Sequence, residues 1–289
     1  MMIKRLCIIG VGLIGGSLAR ALKAAGACEE IVGYGRSPEA LDEALGLGVI
    51  DRAETDLARA VAGAEVVLLG VPVGAVEAVL EQLKPLLEPQ TILSDVGSTK
   101  GSVVAAARAV FGTLPPRFIP GHPIAGTEQS GVAASFADLY QNRKVILTPG
   151  EDADPQALSL VREMWQTAGA EVCEMSVAHH DEVLAATSHL PHMLAFTLVD
   201  TLARLEDHDD IFRYAAGGFR DFTRIASSNP RMWHDICLHN RDALLLMLDR
   251  FTDELGQLRQ SIAAGDGEAV LETFERAKAA RDDYGDTHC

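Results

Sequence analysis

The sequence predicts an α/β protein in which a doubly wound, mainly parallel sheet is followed by an all-helical second domain. Three observations carry that expectation. Short runs of Val, Ile and Leu alternate with helical patterns as far as Met175, as parallel strands covered on both faces require. A turn with Gly10, Gly12, Gly15 and Gly16 separates the first such run from the first helical pattern. Beyond Met175 the periodicity is helical, and no run reads as a strand.

Taken in order, residues 6–9 read as a buried strand and 13–25 as the helix after it. A second strand at 31–34 leads into a helix at about 38–47. Strands at 66–69 and 91–94 flank a helical stretch at 75–87, and late strands at 145–147 and 171–173 flank a helix at 156–168. Val183, Leu184, Leu190, Leu194, Leu198 and Leu202 mark one long helix, and residues 244–262 another. The expected boundary therefore divides residues 1–176 from residues 177–289. Long apolar helices of this kind suit an intramolecular bundle and a dimer interface equally.

Length and composition agree. A chain of 289 residues, 48% hydrophobic and 23% charged, suits two soluble domains with sizeable cores. The net charge of −16 argues against nucleic acid or an anionic membrane surface as a partner, since both call for clustered Lys and Arg. An acidic small molecule stays open, because a site can be locally basic inside an acidic shell. The five cysteines, Cys7, Cys28, Cys173, Cys237 and Cys289, form no Cys-x-x-Cys pair, so reduced thiols in a cytoplasm are expected. The apolar run that ends at Ile9 is too short for a signal-peptide core or a membrane span.

The turn Gly10-Val11-Gly12-Leu13-Ile14-Gly15-Gly16 opens the first helix directly after the first strand. Gly10 permits a tight turn, Gly12 lets backbone amides reach a pyrophosphate, and Gly15 allows helix and strand to pack closely. The helix N-terminus then faces the phosphates, a Rossmann-type arrangement for a nicotinamide dinucleotide. An NAD-preferring site places Asp or Glu at the end of the second strand, about 20 residues on. Here Gly35 stands at that point, followed by Arg36, able to pair with a 2′-phosphate, and Ser37, able to hydrogen-bond to it. The reading favours NADP, or use of both cofactors. The plainer alternative is a surface arginine before a helix capped by Ser37. Val71, Asp95 and Gly97, at the carboxyl ends of two strands, complete the expected cofactor contacts.

Three further segments gather polar groups that a scaffold does not need. They are Ser94-Asp95-Val96-Gly97-Ser98-Thr99-Lys100, the stiff loop Gly121-His122-Pro123-Ile124-Ala125-Gly126-Thr127-Glu128, and Ser188-His189-Leu190-Pro191-His192 within the long helix. A spacing of four puts Ser188 and His192 on one helical face, with Pro191 set to disturb the helix there.

Together with Gly217-Gly218-Phe219-Arg220-Asp221-Phe222-Thr223-Arg224-Ile225-Ala226, these segments occur in the order seen in prephenate/arogenate dehydrogenases, which the chain resembles over nearly its whole length. The resemblance implies a homodimeric enzyme of tyrosine biosynthesis. It would oxidise and decarboxylate a cyclohexadienyl acid, with hydride transfer to NAD or NADP and no metal. It implies His122 as proton acceptor and Ser98 as the group orienting the hydroxyl and the histidine. Arg224 would bind a substrate carboxylate, and Ser188, His192 and Gly217 would line the substrate pocket. Glu128 bears on the side chain of the substrate: it would pair with the arogenate ammonium and repel prephenate, or else gate the pocket or pair with an arginine. Prephenate is the preferred reading, with arogenate as a second substrate.

Duller readings stand beside these. His122 could be a loop histidine bonded to backbone, and His189 with His192 lacks the acidic or Cys partner that a metal site needs. His179-His180, before Asp181-Glu182, reads as a solvated helix start, and Arg220 as a surface or interface residue. A β-hydroxyacid dehydrogenase would depend on a lysine in its helical part, yet after Lys144 only Lys278 remains. A nicotinamide-sensing protein without chemistry would have no use for His122, Ser98 and Arg224 together. The chain runs out soon after its helical stretch, so no fused mutase or regulatory domain is expected.

Overall fold

The computed structural model describes residues 2–206 and 208–288. Cys289, the last of the five cysteines, lies outside them; Cys7, Cys28, Cys173 and Cys237 are free thiols.

The chain runs β1 (Ile3–Ile9), α1 (Leu13–Ala24), β2 (Cys28–Tyr34), α2 (Pro38–Gly46), β3 (Arg52–Glu54), α3 (Leu57–Val61) and β4 (Val66–Leu69). Next come α4 (Val76–Leu83), β5 (Ile92–Asp95), α5 (Lys100–Phe111), β6 (Phe118–Ile119) and β7 (Gly121–Pro123). They are followed by β8 (Lys144–Leu147), α6 (Pro155–Thr167) and β9 (Glu171–Glu174). From there it is helical: α7 (Val177–Leu184), α8 (Leu190–Ala203), α9 (His208–Arg213), α10 (Gly217–Thr223), α11 (Pro230–His239), α12 (Arg241–Ala264) and α13 (Gly267–His288).

Among the described residues, six strands form one sheet in the order β3-β2-β1-β4-β5-β6, and every pairing in it is parallel. The reason is visible in β1. Alternate side chains of a strand face opposite ways, so Leu6 and Ile8 enter a core with Leu18, Leu22 and Trp165, while Cys7 and Ile9 enter a second core with Leu80, Leu83 and Val103. Both faces are covered, as the Val/Ile/Leu-rich runs required. Local chemistry sets the helix starts: Ser37, Asp56, Asp154, Ser176 and Asn229 cap α2, α3, α6, α7 and α11 with their side-chain oxygens.

Two expectations need correcting. The late strands do not extend the parallel sheet. Strands β7, β8 and β9 form a second, mixed sheet in which β7 runs antiparallel to β8. His122 therefore sits on a strand rather than in a stiff loop. Its Gly-His-Pro sequence carries no strand signal, and the pairing with β8 imposes the extended form. The expected single long helix is also interrupted. Between α7 and α8 lies one π-helical turn, Ala185–His189, immediately before Leu190 and Pro191. Proline supplies no amide proton, and a wider turn absorbs the lost bond without breaking the helix.

Packing divides the chain into two compact units, Met1–Arg241 and Asp242–Cys289, while the change to all-helical character falls between β9 and α7. In the first unit α7 packs on α5, and α11 on a 3₁₀ turn at Val73–Ala75. The second unit is a helical hairpin that turns at Gly265, whose φ of 71° suits glycine, with Asp266 accepting a bond from the Ala269 amide. Leu255 and Ile262 on α12, and Leu271 and Phe274 on α13, are exposed.

Candidate active site

The glycine turn has the geometry a dinucleotide needs. Gly10 has φ of 92°, and a Cβ there would stand 2.7 Å from the carbonyl oxygen of Gly70 at the end of β4. Only glycine lets the two strand ends approach so closely. At Gly15 a Cβ would stand 2.8 Å from Ile8 Cγ2, so this residue seats α1 on β1. Gly12, the N-terminal cap of α1, has nothing within 4 Å of a Cβ, so the space beside the helix start is open at that residue. That space fits a pyrophosphate. Val71 lies half-buried beside Gly10.

Beyond β2, Arg36 is exposed and makes no ion pair or hydrogen bond among the described residues. Ser37 accepts the Ala40 amide at 3.2 Å and stands 2.7 Å from a Glu39 carboxylate oxygen. Glu39 is thus a carboxylate close to the place where Gly35 supplies none.

At the end of β5 the sequence singled out Asp95, Gly97 and Ser98. Asp95 is fully buried, and both its oxygens are occupied. One accepts the Gly121 amide at 3.1 Å; the other accepts the Gly97 amide at 2.7 Å and the Lys100 ammonium. Lys100, also fully buried, donates a second bond to the Gly121 carbonyl at 2.7 Å. Burial lowers the Lys100 pKa, and the Asp95 charge opposes that. This pair clamps the start of β7 to the sheet edge and so fixes the backbone that carries His122. The contacts that Asp95 and Gly97 make are with each other, and those of Asp95 also with Lys100 and Gly121. Ser98 is half-buried just ahead of α5, two residues from Lys100.

His122 is 8% exposed. Its Nδ1 lies 2.9 Å from Nε2 of His180, whose own Nδ1 lies 2.8 Å from Asp181 Oδ1. Asp181 also accepts the amides of Lys100 and Gly101, at 2.8 Å each, and so caps α5 from a helix far along the chain. Gly101 is needed for that approach, since a Cβ there would stand 2.7 Å from Asp181 Oδ2. Burial drives the His122 pKa well below its ordinary value, and His180, Lys100 and His189 push the same way. Burial also lowers His180, against the pull of Asp181. For Asp181, burial would raise the pKa, but bonds from His180 and from the two amides outweigh it and hold the group low.

The reading of His179-His180 as a solvated pair holds for His179 alone, which is exposed; His180 is completely buried. Sequence reasoning names Lys100 and Asp181 only as members of their segments, without a role, and passes over Asn240. The Asn240 amide donates to the Asp181 carbonyl at 2.9 Å and reaches His189 Nδ1 at 3.0 Å. His189 is itself buried, with Nε2 unpaired among the described residues.

Ser188 lies half-buried in the π turn, and its carbonyl accepts from His192 Nδ1 at 2.8 Å. His192 stacks on Trp233 with ring centroids 3.6 Å apart, and burial lowers its pKa. Arg224, in a 3₁₀ turn after α10, forms an ion pair with Glu128. Since Glu128 is six residues beyond His122, this pair ties Arg224 to the loop leaving β7. Gly217 and Arg220 are exposed on α10. The described residues hold no group of three or more His, Cys, Asp or Glu able to ligate a metal, and no helix long and apolar enough to cross a membrane.

The family profile of prephenate dehydrogenase nucleotide-binding domains matches residues 18–174, and that of prephenate dehydrogenase dimerization domains matches residues 176–276. The chain belongs to the prephenate dehydrogenase family. It is 43% identical over 281 residues to a cyclohexadienyl dehydrogenase of Zymomonas mobilis, covering 96% of this chain and 95% of that one. It is 40% identical to a prephenate dehydrogenase of Bacillus subtilis, covering 95% and 74% respectively. Among solved structures, prephenate dehydrogenase from Aquifex aeolicus, in complex with hydroxyphenyl propionate and NAD+, superposes with a TM-score of 0.91 at 39% identity, covering 97% and 98% of the two chains. Synechocystis arogenate dehydrogenase gives a TM-score of 0.81 at 30% identity, covering 97% and 99%. The fold class and the family inferred from the sequence motifs both stand. The first profile begins after the glycine turn, so the turn is identified by its own geometry.

Proposed function

We propose that the protein oxidises and decarboxylates prephenate, accepts arogenate as a second substrate, and uses both NAD and NADP. The observation that carries the proposal is a buried histidine, held neutral and clamped through Lys100 and Asp95 to the carboxyl end of β5, with an arginine tied by Glu128 to the loop that leaves its strand. His122 takes the proton of the ring hydroxyl, a task for a neutral imidazole. Arg224 holds a substrate carboxylate, once Glu128 gives it up, with a planar two-pronged donor. Ser98 orients the hydroxyl, and Ser188 and His192 line the pocket beside Trp233. A nicotinamide dinucleotide whose pyrophosphate is held at Gly12 would supply the hydride acceptor for the hydroxyl-bearing carbon. The electron pair of the ring–carboxylate bond then enters the ring as carbon dioxide departs, and the product is aromatic.

Use of both cofactors is supported by two opposed features. Unpaired Arg36 suits a 2′-phosphate, while Glu39 beside Ser37 would repel it and could accept from a ribose hydroxyl. The Aquifex aeolicus relative holds NAD+. Residues 1–176 serve as the dinucleotide domain, and residues 177–289 bind substrate and dimerise. Exposed Leu255, Ile262, Leu271 and Phe274 supply an apolar face for the second copy. A cytoplasmic setting fits the free thiols.

The test is a set of initial rates for prephenate and arogenate, each with NAD and NADP, followed by the absorbance of the reduced nicotinamide. Turnover of prephenate with either cofactor is expected. A flat trace in all four combinations overturns the proposal.

A further inference from the structure

We propose that His180 and Asp181 are positioning residues that fix the tautomer of His122, leaving its Nε2 bare to receive the substrate proton. This rests on the reading of His122 as the base and adds what makes it one.

The argument is an accounting of protons. Asp181 is a carboxylate pinned by the amides of Lys100 and Gly101, and a carboxylate only accepts hydrogen bonds. Its contact of 2.8 Å with His180 Nδ1 therefore places a proton on that nitrogen. His180 is fully buried and neutral, so its second nitrogen, Nε2, carries a lone pair. The 2.9 Å contact between this lone pair and His122 Nδ1 holds a single proton, and it must sit on His122. A neutral His122 protonated at Nδ1 has its lone pair on Nε2. An unconstrained imidazole more often carries its proton on Nε2, which would present a donor to the substrate hydroxyl and no base. The arrangement follows the logic by which an aspartate orients a catalytic histidine in hydrolases, with a second imidazole interposed.

When His122 takes the substrate proton on Nε2, its Nδ1–H keeps donating to His180, so nothing need rearrange. The charged and titratable groups facing the imidazole are His180 and Asp181 from α7, His189 from the π turn, Lys100 from α5, and Asp95 at the end of β5. Lys100 and the other histidines disfavour the imidazolium. Asp181 lies behind His180 and favours it. No proton passes along the chain, and none is required to.

The test is a ¹⁵N spectrum of the imidazoles in the intact protein at neutral pH, with His122 assigned by the signals missing from His122→Asn. Expected are a protonated-type shift for His122 Nδ1 and a bare, pyridine-type shift for Nε2. The opposite tautomer overturns the proposal. A kinetic pair supports the spectrum. His180→Phe keeps a buried ring without an acceptor, and should lower kcat by at least about 10-fold, within the ~10²–10⁴-fold range of losing the base itself. Its KM for the cofactor should stay unchanged. His180→Gln restores an acceptor and should recover much of that loss. Wild-type kcat in folded His180→Phe, or equal damage in both variants, overturns the proposal. If His180→Phe does not fold, the wild-type spectrum decides alone. Failure of the underlying reading looks different: His122→Asn would then turn over normally, whatever the tautomer.

Discussion

Replacing Glu128 with glutamine keeps the shape of the side chain and removes the charge that occupies Arg224. The two side chains of that ion pair are 64% and 39% exposed, so solvent screens most of their attraction. Pairs this exposed are worth about 0.2–1 kcal/mol. A substrate carboxylate must displace Glu128 to reach the guanidinium, so Glu128→Gln should lower the KM for prephenate by about 1.4- to 5-fold, the same energy expressed as affinity. The kcat should stay put, because Glu128 does not touch the reacting carbon. Arogenate should gain less or lose, since its ammonium forfeits a carboxylate partner. The assay is a Michaelis curve for each substrate at low and high salt; screening at high salt should shrink the difference. Arg224→Ala sets the scale at the other end. A hydrogen bond to a charged group contributes about 1.5–3 kcal/mol, so its loss should raise the KM by roughly 12- to 160-fold. A KM for prephenate that rises or stands still in Glu128→Gln at low salt would refute the idea that this carboxylate competes with substrate. A fall in kcat alone would place Glu128 in the chemistry instead.

His122→Asn should lower turnover by roughly 10²–10⁴-fold with little change in cofactor affinity, read from kcat and from a fluorescence titration with NADH. Arg36→Ala should weaken NADP far more than NAD, and Glu39→Gln should improve NADP relative to NAD; equal effects on both cofactors would remove these residues from selectivity. The buried histidines make stability fall in acid. Burial pushes His189 down to about 4 from its ordinary value of 6.5, so the unfolded chain binds the extra proton first. Its share of stability is complete above pH ~6.5 and drains away as pH falls towards 4, by about 3 kcal/mol in all. Urea unfolding at pH 7.5 and pH 5 checks this, and a midpoint that does not move would contradict it. Leu255→Arg should turn a dimer into monomers on a sizing column while the circular dichroism stays helical.

Much of the fold could be read because its signals are local. The roles of Gly10, Gly12 and Gly15 follow from spacing alone, and the structure gives them a positive φ, open space and a close contact in that order. Strand β1 announced itself by four consecutive apolar residues, 6–9, which feed both cores. The second sheet was hidden because β7 is three residues long and none of Gly-His-Pro favours a strand. His180 was misread for a related reason. With His179 before it and Asp181-Glu182 after it, the local pattern is that of a wet helix start, and its burial comes from α7 packing on α5 and from a histidine 58 positions earlier. Asp95 was expected beside the cofactor for its place at a strand end. That it spends both oxygens on Gly97, Lys100 and Gly121 is a tertiary fact, which no spacing rule encodes.

The π turn at Ala185–His189 makes length, rather than composition, the sensitive property of this stretch. Such a turn holds one residue more than an α-helical turn would, and each added or removed residue swings everything downstream by about 100° around the axis. Deleting one of residues 185–187 would give a more regular helix and would swing Ser188, His189 and His192 together around the axis relative to His180 and Asp181 on α7. Point substitutions along the turn leave that register alone. An in-frame deletion survey should therefore find this short interval far less forgiving than the surface loops around it, although its side chains are mostly small.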